Sequence, residues 1–246
     1  MAEVADEPQL PTKAERREVL VDAASIGLAT GVYGISFGAL AVTSKFTVAQ
    51  ASVLSLLMFT GASQFALVGI VGAAGGAAAA IGTAWMLGAR NGLYALRMAE
   101  LLAPRGWMRL VAAQLTIDES TGLAVRNDDG RHRSLARLGF WAAGISVFIC
   151  WNIATVLGAI AANSLGDPRR FGLDAAIPAA FLALLWPRLS DKTARGVGLG
   201  AAVMAIALTP FLRPGLPVLL TAIVAVVVGL WPQRKTSSAV EGEVST

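Results

Sequence analysis

The chain has almost none of the residues that staple or metallate a small fold. A single cysteine, Cys150, cannot form an internal disulfide, and beside Trp151 in an apolar run it reads as a small core residue. The one histidine, His132, lies in a basic stretch without the partners of a metal site, so no structural zinc or other metal is expected. Charge is scarce too, at 15% Asp, Glu, Lys and Arg. No Gly-x-Ser-x-Gly, His-Glu-x-x-His or phosphate-binding glycine loop with its lysine occurs, so nothing points to an enzyme or to an ATP-driven machine, and no cofactor is expected.

What is abundant is apolar. Hydrophobic residues make up 55% of the 246 residues, with a mean hydropathy of +0.63, outside the composition of ordinary soluble domains. A helix needs about 20 apolar residues to cross roughly 30 Å of hydrocarbon. The runs and their breaks place membrane helices near 20–43, 48–73, 76–97, 108–125, 136–163, 172–187, 196–212 and 215–231. The expected fold is an all-α, polytopic transmembrane bundle of seven or eight helices. The count depends on 108–125, where Gln114, Asp118 and Glu119 interrupt a short stretch that either crosses or re-enters. Residues 1–18, with Pro8 and Pro11, read as a polar tail, 19–231 as one transport domain and 232–246 as a second polar tail. The first apolar run is longer than a cleavable signal and reads as a retained helix.

The net charge of +4 does not suggest nucleic acid, because the basic residues sit in clusters between apolar runs. With eight crossings, Lys13, Arg16, Arg17, Arg126, Arg131, Arg133, Arg137, Arg188, Lys192, Arg195, Arg234 and Lys235 fall on the side of the N-terminus. Lys45, Arg97, Arg105, Arg109, Arg169, Arg170 and Arg213 fall on the other. The excess predicts cytoplasmic termini in a cell inner membrane. The glycines of the first run (Gly27, Gly31, Gly34, Gly38) suit close helix packing. Gly34-Ile35-Ser36 and Gly144-Ile145-Ser146 open comparable regions, a hint of the inverted repeats that transporters carry.

Polar side chains that hydrocarbon should not contain are functional candidates. Gly61, Ser63 and Gln64 permit a backbone break and supply an amide deep in the second run. Arg90, Asn91 and Tyr94 lie in the third, with Arg90 and Tyr94 on one helix face and Arg97 a further turn along. Asp118 and Glu119 point about 100° apart if helical, so one can pair with Arg90 while the other titrates. Trp151, Asn152 and Pro178 read more readily as packing, with Trp151 also a candidate wall of the site. A helix-bonding role for Gln64, and a loop-end position for the two carboxylates, are the plainer alternatives.

At Phe59-Thr60-Gly61-Ala62-Ser63-Gln64-Phe65, Arg90-Asn91-Gly92-Leu93-Tyr94, Thr116-Ile117-Asp118-Glu119 and Ile177-Pro178-Ala179-Ala180-Phe181 the chain resembles the AzlC family, the large subunit of branched-chain amino acid exporters. The resemblance runs through most of residues 20–230. It implies a secondary transporter exporting valine, leucine and isoleucine, with methionine as a candidate fourth substrate, working with a small membrane subunit of the AzlD type. Gly61, Ser63, Gln64, Arg90, Asn91, Tyr94 and Trp151 would then bind substrate, and Asp118 and Glu119 would carry protons. The family usually has His where this chain has Asn91, which puts proton handling at that position in doubt. The alternative is a passive channel or a permease for another small amphiphilic solute.

Overall fold

The computed structural model describes residues 11–128, 133–164, 182, 185, 186, 189–213 and 215–230. Every element among them is a helix: α1 (Lys13–Thr43), α2 (Val48–Leu57), α3 (Gly61–Gly72), α4 (Ala77–Leu102), α5 (Met108–Gln114), α6 (Asp118–Arg126), α7 (Arg133–Ser164), α8 (Lys192–Leu208) and α9 (Leu216–Leu230). Of the expected helix at 172–187, residues 182, 185 and 186 are described, and the rest, with Pro178, lies outside the described residues. Of the described helices, α1 and α7 are both long enough and apolar enough to cross a bilayer. The first helix begins earlier than expected, because Thr12 and Glu15 form a reciprocal capping box that starts it at Lys13, just past Pro11.

Polarity is distributed inside out. Leu28, Leu96 and Leu110 are 68%, 70% and 76% exposed, whereas Ser55, Gln64, Thr83 and Thr155 are completely buried. A water-soluble fold would do the reverse; a bilayer solvates apolar side chains and drives polar ones together.

The bundle is built on α1 and α7. They run parallel and nearly in contact along the glycine stripe: Gly27 meets Ser146, Gly31 meets Cys150, Gly34 meets Trp151 and Gly38 meets Thr155. A Cβ on Gly34 would stand 2.8 Å from the Trp151 carbonyl oxygen, and one on Gly38 would stand 2.7 Å from the Ala159 nitrogen. Bare backbone at these positions is what allows the approach.

The run 48–73, expected to be one crossing, is a re-entrant hairpin. A second capping box, Thr47 with Gln50, starts α2 directly after α1 ends. Helix α2 runs against the direction of α7: Ser55 Oγ donates to Thr155 Oγ1 at 3.4 Å, and Phe59 packs on Phe148, four residues on but seven back. The chain then turns at Met58, Phe59 and Thr60, and α3 climbs parallel to α1, with Phe65 against Phe37 and Gly72 against Ser44. Residues 44 and 72 thus lie at the same end. Hydropathy alone cannot distinguish ten apolar residues in and twelve out from a single span.

Helix α4 returns past α3, with Ala79 and Ala80 beside Ile70 and Gly88 beside Ser63. Its 26 residues extend about 39 Å. It ends at Ala103, in the left-handed conformation (φ 44°), and Pro104. The run 108–125 is a second re-entrant hairpin. Helix α5 rises to Gln114, the chain breaks at Leu115, Thr116 and Ile117, and α6 returns against α7 with Leu115 at Gly144 and Leu123 at Gly139. Arg126 then meets Asp22 of α1 at 2.7 Å. Helices α8 and α9 pair with each other, and Leu219 of α9 packs on Gly82.

Two consequences correct the sequence reading. Gly34 and Gly144 lie on parallel helices, so that pair is no inverted repeat; the inverted relation links α1–α2–α3 to α4–α5–α6, each a long helix followed by a hairpin, running in opposite directions. Arg97, Arg105 and Arg109, assigned to the side opposite the N-terminus, lie instead at the end where α1 begins, with Lys13, Arg16, Arg17, Arg126, Arg133 and Arg137. Lys45 lies at the far end. The former is called the basic end below.

Candidate functional site

The hairpins enter from opposite ends and their tips meet inside the bundle. Between them is a cavity of about 310 Å³, the lower end of the roughly 300–1,000 Å³ of small-molecule sites. Its lining comes from equivalent parts of the two inverted halves. Thr30 and Tyr33 of α1 face Leu87, Arg90 and Asn91 of α4, and the tip Phe59 to Ala62 faces the tip Ile117 to Glu119. Val147 and Trp151 of α7 form one wall, and Leu185 also contributes.

Of the residues singled out in the sequence, Gly61, Arg90, Asn91, Asp118, Glu119 and Trp151 line this cavity. Arg90 Nη2 lies 3.0 Å from Asp118 Oδ2, with both side chains about one-third exposed or less. Although Asp118 and Glu119 are adjacent, both reach the cavity because they occupy the first turn of α6, where the chain has only just turned out of the tip. Two carboxylates at a helix N-terminus are held by the positive end of the helix dipole. Arg90 Nε and Asn91 Oδ1 are buried with no hydrogen-bond partner among the described residues.

Ser63, Gln64 and Tyr94 do not line it. Ser63 and Gln64 are completely or almost completely buried behind the wall, and Tyr94 lies one helical turn beyond Arg90. Gln64 Nε2 donates to the Met58 carbonyl at 2.6 Å and to that of Ser55 at 3.4 Å, while its Oε1 accepts from Trp151 Nε1 at 3.0 Å. It holds the α2–α3 tip closed on itself and fixes the indole that forms the wall, so the helix-bonding alternative describes its placement. Trp151 is further clamped by Phe37, stacked at 6.1 Å, and Phe65, edge-on at 6.3 Å. The indole edge reaches over Gly61, where a Cβ would be 3.1 Å from it.

The tips differ in charge. At α3 the N-cap Thr60 makes no side-chain cap to the helix; its hydroxyl is instead 3.3 Å from Ser63 Oγ. The first N–H groups of α3, which no helix satisfies internally, are therefore uncapped by a side chain, and the first two residues of the helix, Gly61 and Ala62, line the cavity. At α6 the same place is filled by carboxylates, and Ser120 Oγ accepts from the Ile117 N–H at 3.1 Å.

One polar residue that ties the two hairpins together escaped the sequence reading. Gln114, noted only as an interruption of an apolar run, donates to the Leu56 carbonyl at 2.8 Å and to that of Leu57 at 3.4 Å. Thr30, Tyr33, Phe59 and Leu87 were also not singled out, since apolar and small polar residues in a helix give no signal until a cavity is seen.

The family model described as AzlC protein matches residues 25–165, a stretch that contains both hairpins, α4 and most of α1 and α7. A protein of Archaeoglobus fulgidus, described as an uncharacterized membrane protein, is 32% identical over 190 residues, covering 76% of this chain and 82% of its own. No solved structure matches the chain. The matched stretch exceeds half of the sequence, and the chain belongs to the AzlC family of membrane proteins.

Proposed function

We propose that the protein is a secondary active transporter that exports branched-chain amino acids, coupled to protons and paired with a small AzlD-type subunit. The observation that carries this reading is the cavity itself, in which an uncapped helix N-terminus and an arginine stand opposite two carboxylates within apolar walls. A zwitterion with a branched side chain needs those three surroundings. Its carboxylate fits the N–H groups at the start of α3 and Arg90 Nε. Its ammonium fits the Asp118 and Glu119 side of the cavity. Its side chain fits Phe59, Leu87, Ile117, Val147 and Trp151.

Coupling follows from the carboxylates. An ionised Asp118 or Glu119 accepts the substrate ammonium, and a proton that neutralises it removes that acceptor. A proton and an amino acid thus compete for the same carboxylate, which is the linkage an exchanger requires. The basic end, with its nine named cations against Lys45 and Arg213 at the far end, supports a cytoplasmic position for that end, in a cell inner membrane, under the positive-inside rule.

The test is counterflow of labelled leucine, valine and isoleucine in vesicles carrying the protein with and without the small subunit. Uptake against a leucine gradient driven by an imposed pH difference is expected. Flux that only dissipates gradients and ignores pH would leave the passive-channel reading in its place.

A further inference from the structure

A helix that stops in the middle of a membrane leaves its last four carbonyls without intrahelical donors, and hydrocarbon offers none. At the end of α2 those carbonyls belong to Ser55, Leu56, Leu57 and Met58. The four are divided between two glutamines. Gln64, from the same hairpin, serves Ser55 and Met58; Gln114, from the opposing hairpin, serves Leu56 and Leu57. The end of α5 needs no such help from outside its hairpin: Thr116 Oγ1 donates to the Ala112 carbonyl at 2.7 Å and Ser120 Oγ to that of Leu115 at 2.5 Å. The bond from Gln114 is therefore a tie between hairpins.

Beside this tie runs a second space, a groove of about 490 Å³ between α4 and α5. It starts at Arg105 and Arg109 at the basic end, passes Met98, Ala99 and Ala112, and stops at Thr116. The next residue, Ile117, lines the central cavity. The α5–α6 tip thus borders both spaces, the groove at Thr116 and the cavity at Ile117.

We propose that Gln114 is a positioning residue that couples two opposed gates: by tying the α5–α6 tip to the end of α2 it keeps the groove closed from the cavity, and its release opens the path from the basic end. This rests on the transport reading for its purpose, but the gate can be measured without transport. When Gln114 lets go, Leu56 and Leu57 lose their donor, so opening the α5–α6 hairpin leaves the α2–α3 hairpin in need of a new partner. The two gates are thereby linked by one side chain.

The experiment uses the full chain in membrane vesicles, with Cys150→Ala removing the native thiol. A charged, membrane-impermeant methanethiosulfonate is supplied from the side of the basic end. Ala99→Cys reports the groove and Ile117→Cys the cavity wall. With Gln114 present, Ala99→Cys should react readily and Ile117→Cys slowly. In Gln114→Met, which keeps the length but has no amide, Ile117→Cys should react about tenfold faster, the scale on which one lost hydrogen bond shifts an equilibrium. Ala99→Cys should be unchanged, which also shows that the variant is folded. An unchanged rate at Ile117→Cys in Gln114→Met, or a rate equal to that of Ala99→Cys with Gln114 in place, would overturn the proposal. Should Gln114→Met fail to accumulate, Gln114→Asn, one methylene short of the Leu56 carbonyl, is read by the same rates. A chain that labels as expected yet moves no amino acid would refute the transport reading and leave the tie standing.

Discussion

The two re-entrant hairpins share one backbone plan and differ in how each closes its ends. The α2–α3 tip is sealed by amides, Gln64 and Gln114, and presents helix N–H groups to the cavity. The α5–α6 tip is sealed by the hydroxyls of Thr116 and Ser120 and presents Asp118 and Glu119. One geometry thus supplies a positive surface on one side of the cavity and a negative one on the other. The lesson is that polarity in this fold is set by what occupies the first turn of the inner half-helix, since the dipole alone would make both tips positive.

The strongest way to break that comparison is to remove the group that joins its two sides. Arg90→Ala should abolish leucine efflux while the protein still inserts, because Asp118 loses this ion pair and the cavity loses its cation. Wild-type efflux by that variant would take Arg90 out of the site. Next in size, Asp118→Asn keeps the shape of the α6 tip and removes its titratable charge. Exchange should persist at reduced rate but cease to respond to an imposed pH gradient, and a preserved response would move proton coupling elsewhere. Gln64→Leu sharpens the comparison from the α2–α3 side, leaving the Ser55 carbonyl and the Trp151 indole N–H without this partner and the Met58 carbonyl with the Thr60 N–H alone. A loss of about 1–3 kcal/mol is expected for such stranded groups, read as a lower Tm in detergent and a shifted Trp emission; an unchanged Tm would mean the tip does not depend on the amide. The smallest effect belongs to the rim. Arg97 pairs with Asp128 at 2.8 Å but its side chain is 59% exposed; Arg97→Gln should change efflux less than twofold, given the ~0–1 kcal/mol of exposed ion pairs.

Much of the site was legible because hydrocarbon is intolerant. Arg90, Asn91, Asp118 and Glu119 announced themselves as residues that lipid cannot solvate, Gly61 as a place where the backbone can break, and they meet in one cavity. The helical class followed from run length and composition. Direction was not legible. An apolar run of about 25 residues reads as one crossing whether the chain continues past a break or doubles back at it. The reversal at Met58 to Thr60 became visible only through Phe65 against Phe37 and Gly72 against Ser44. The misassigned side of Arg97, Arg105 and Arg109 followed from that single error. Gln114 stayed hidden for a related reason, since its acceptors lie far away in the sequence, in the opposite hairpin.

The hairpin architecture is tested most directly by asking which side of the membrane each loop faces. In a Cys150→Ala chain, Lys45→Cys and Ala74→Cys flank the first hairpin, and Arg105→Cys and Asn127→Cys flank the second. Doubling back predicts that an impermeant thiol reagent labels Lys45→Cys and Ala74→Cys from one side, and Arg105→Cys and Asn127→Cys from the other. Labelling of Lys45→Cys and Ala74→Cys from opposite sides would make residues 48–73 a true crossing and contradict the opposed tips on which the site depends.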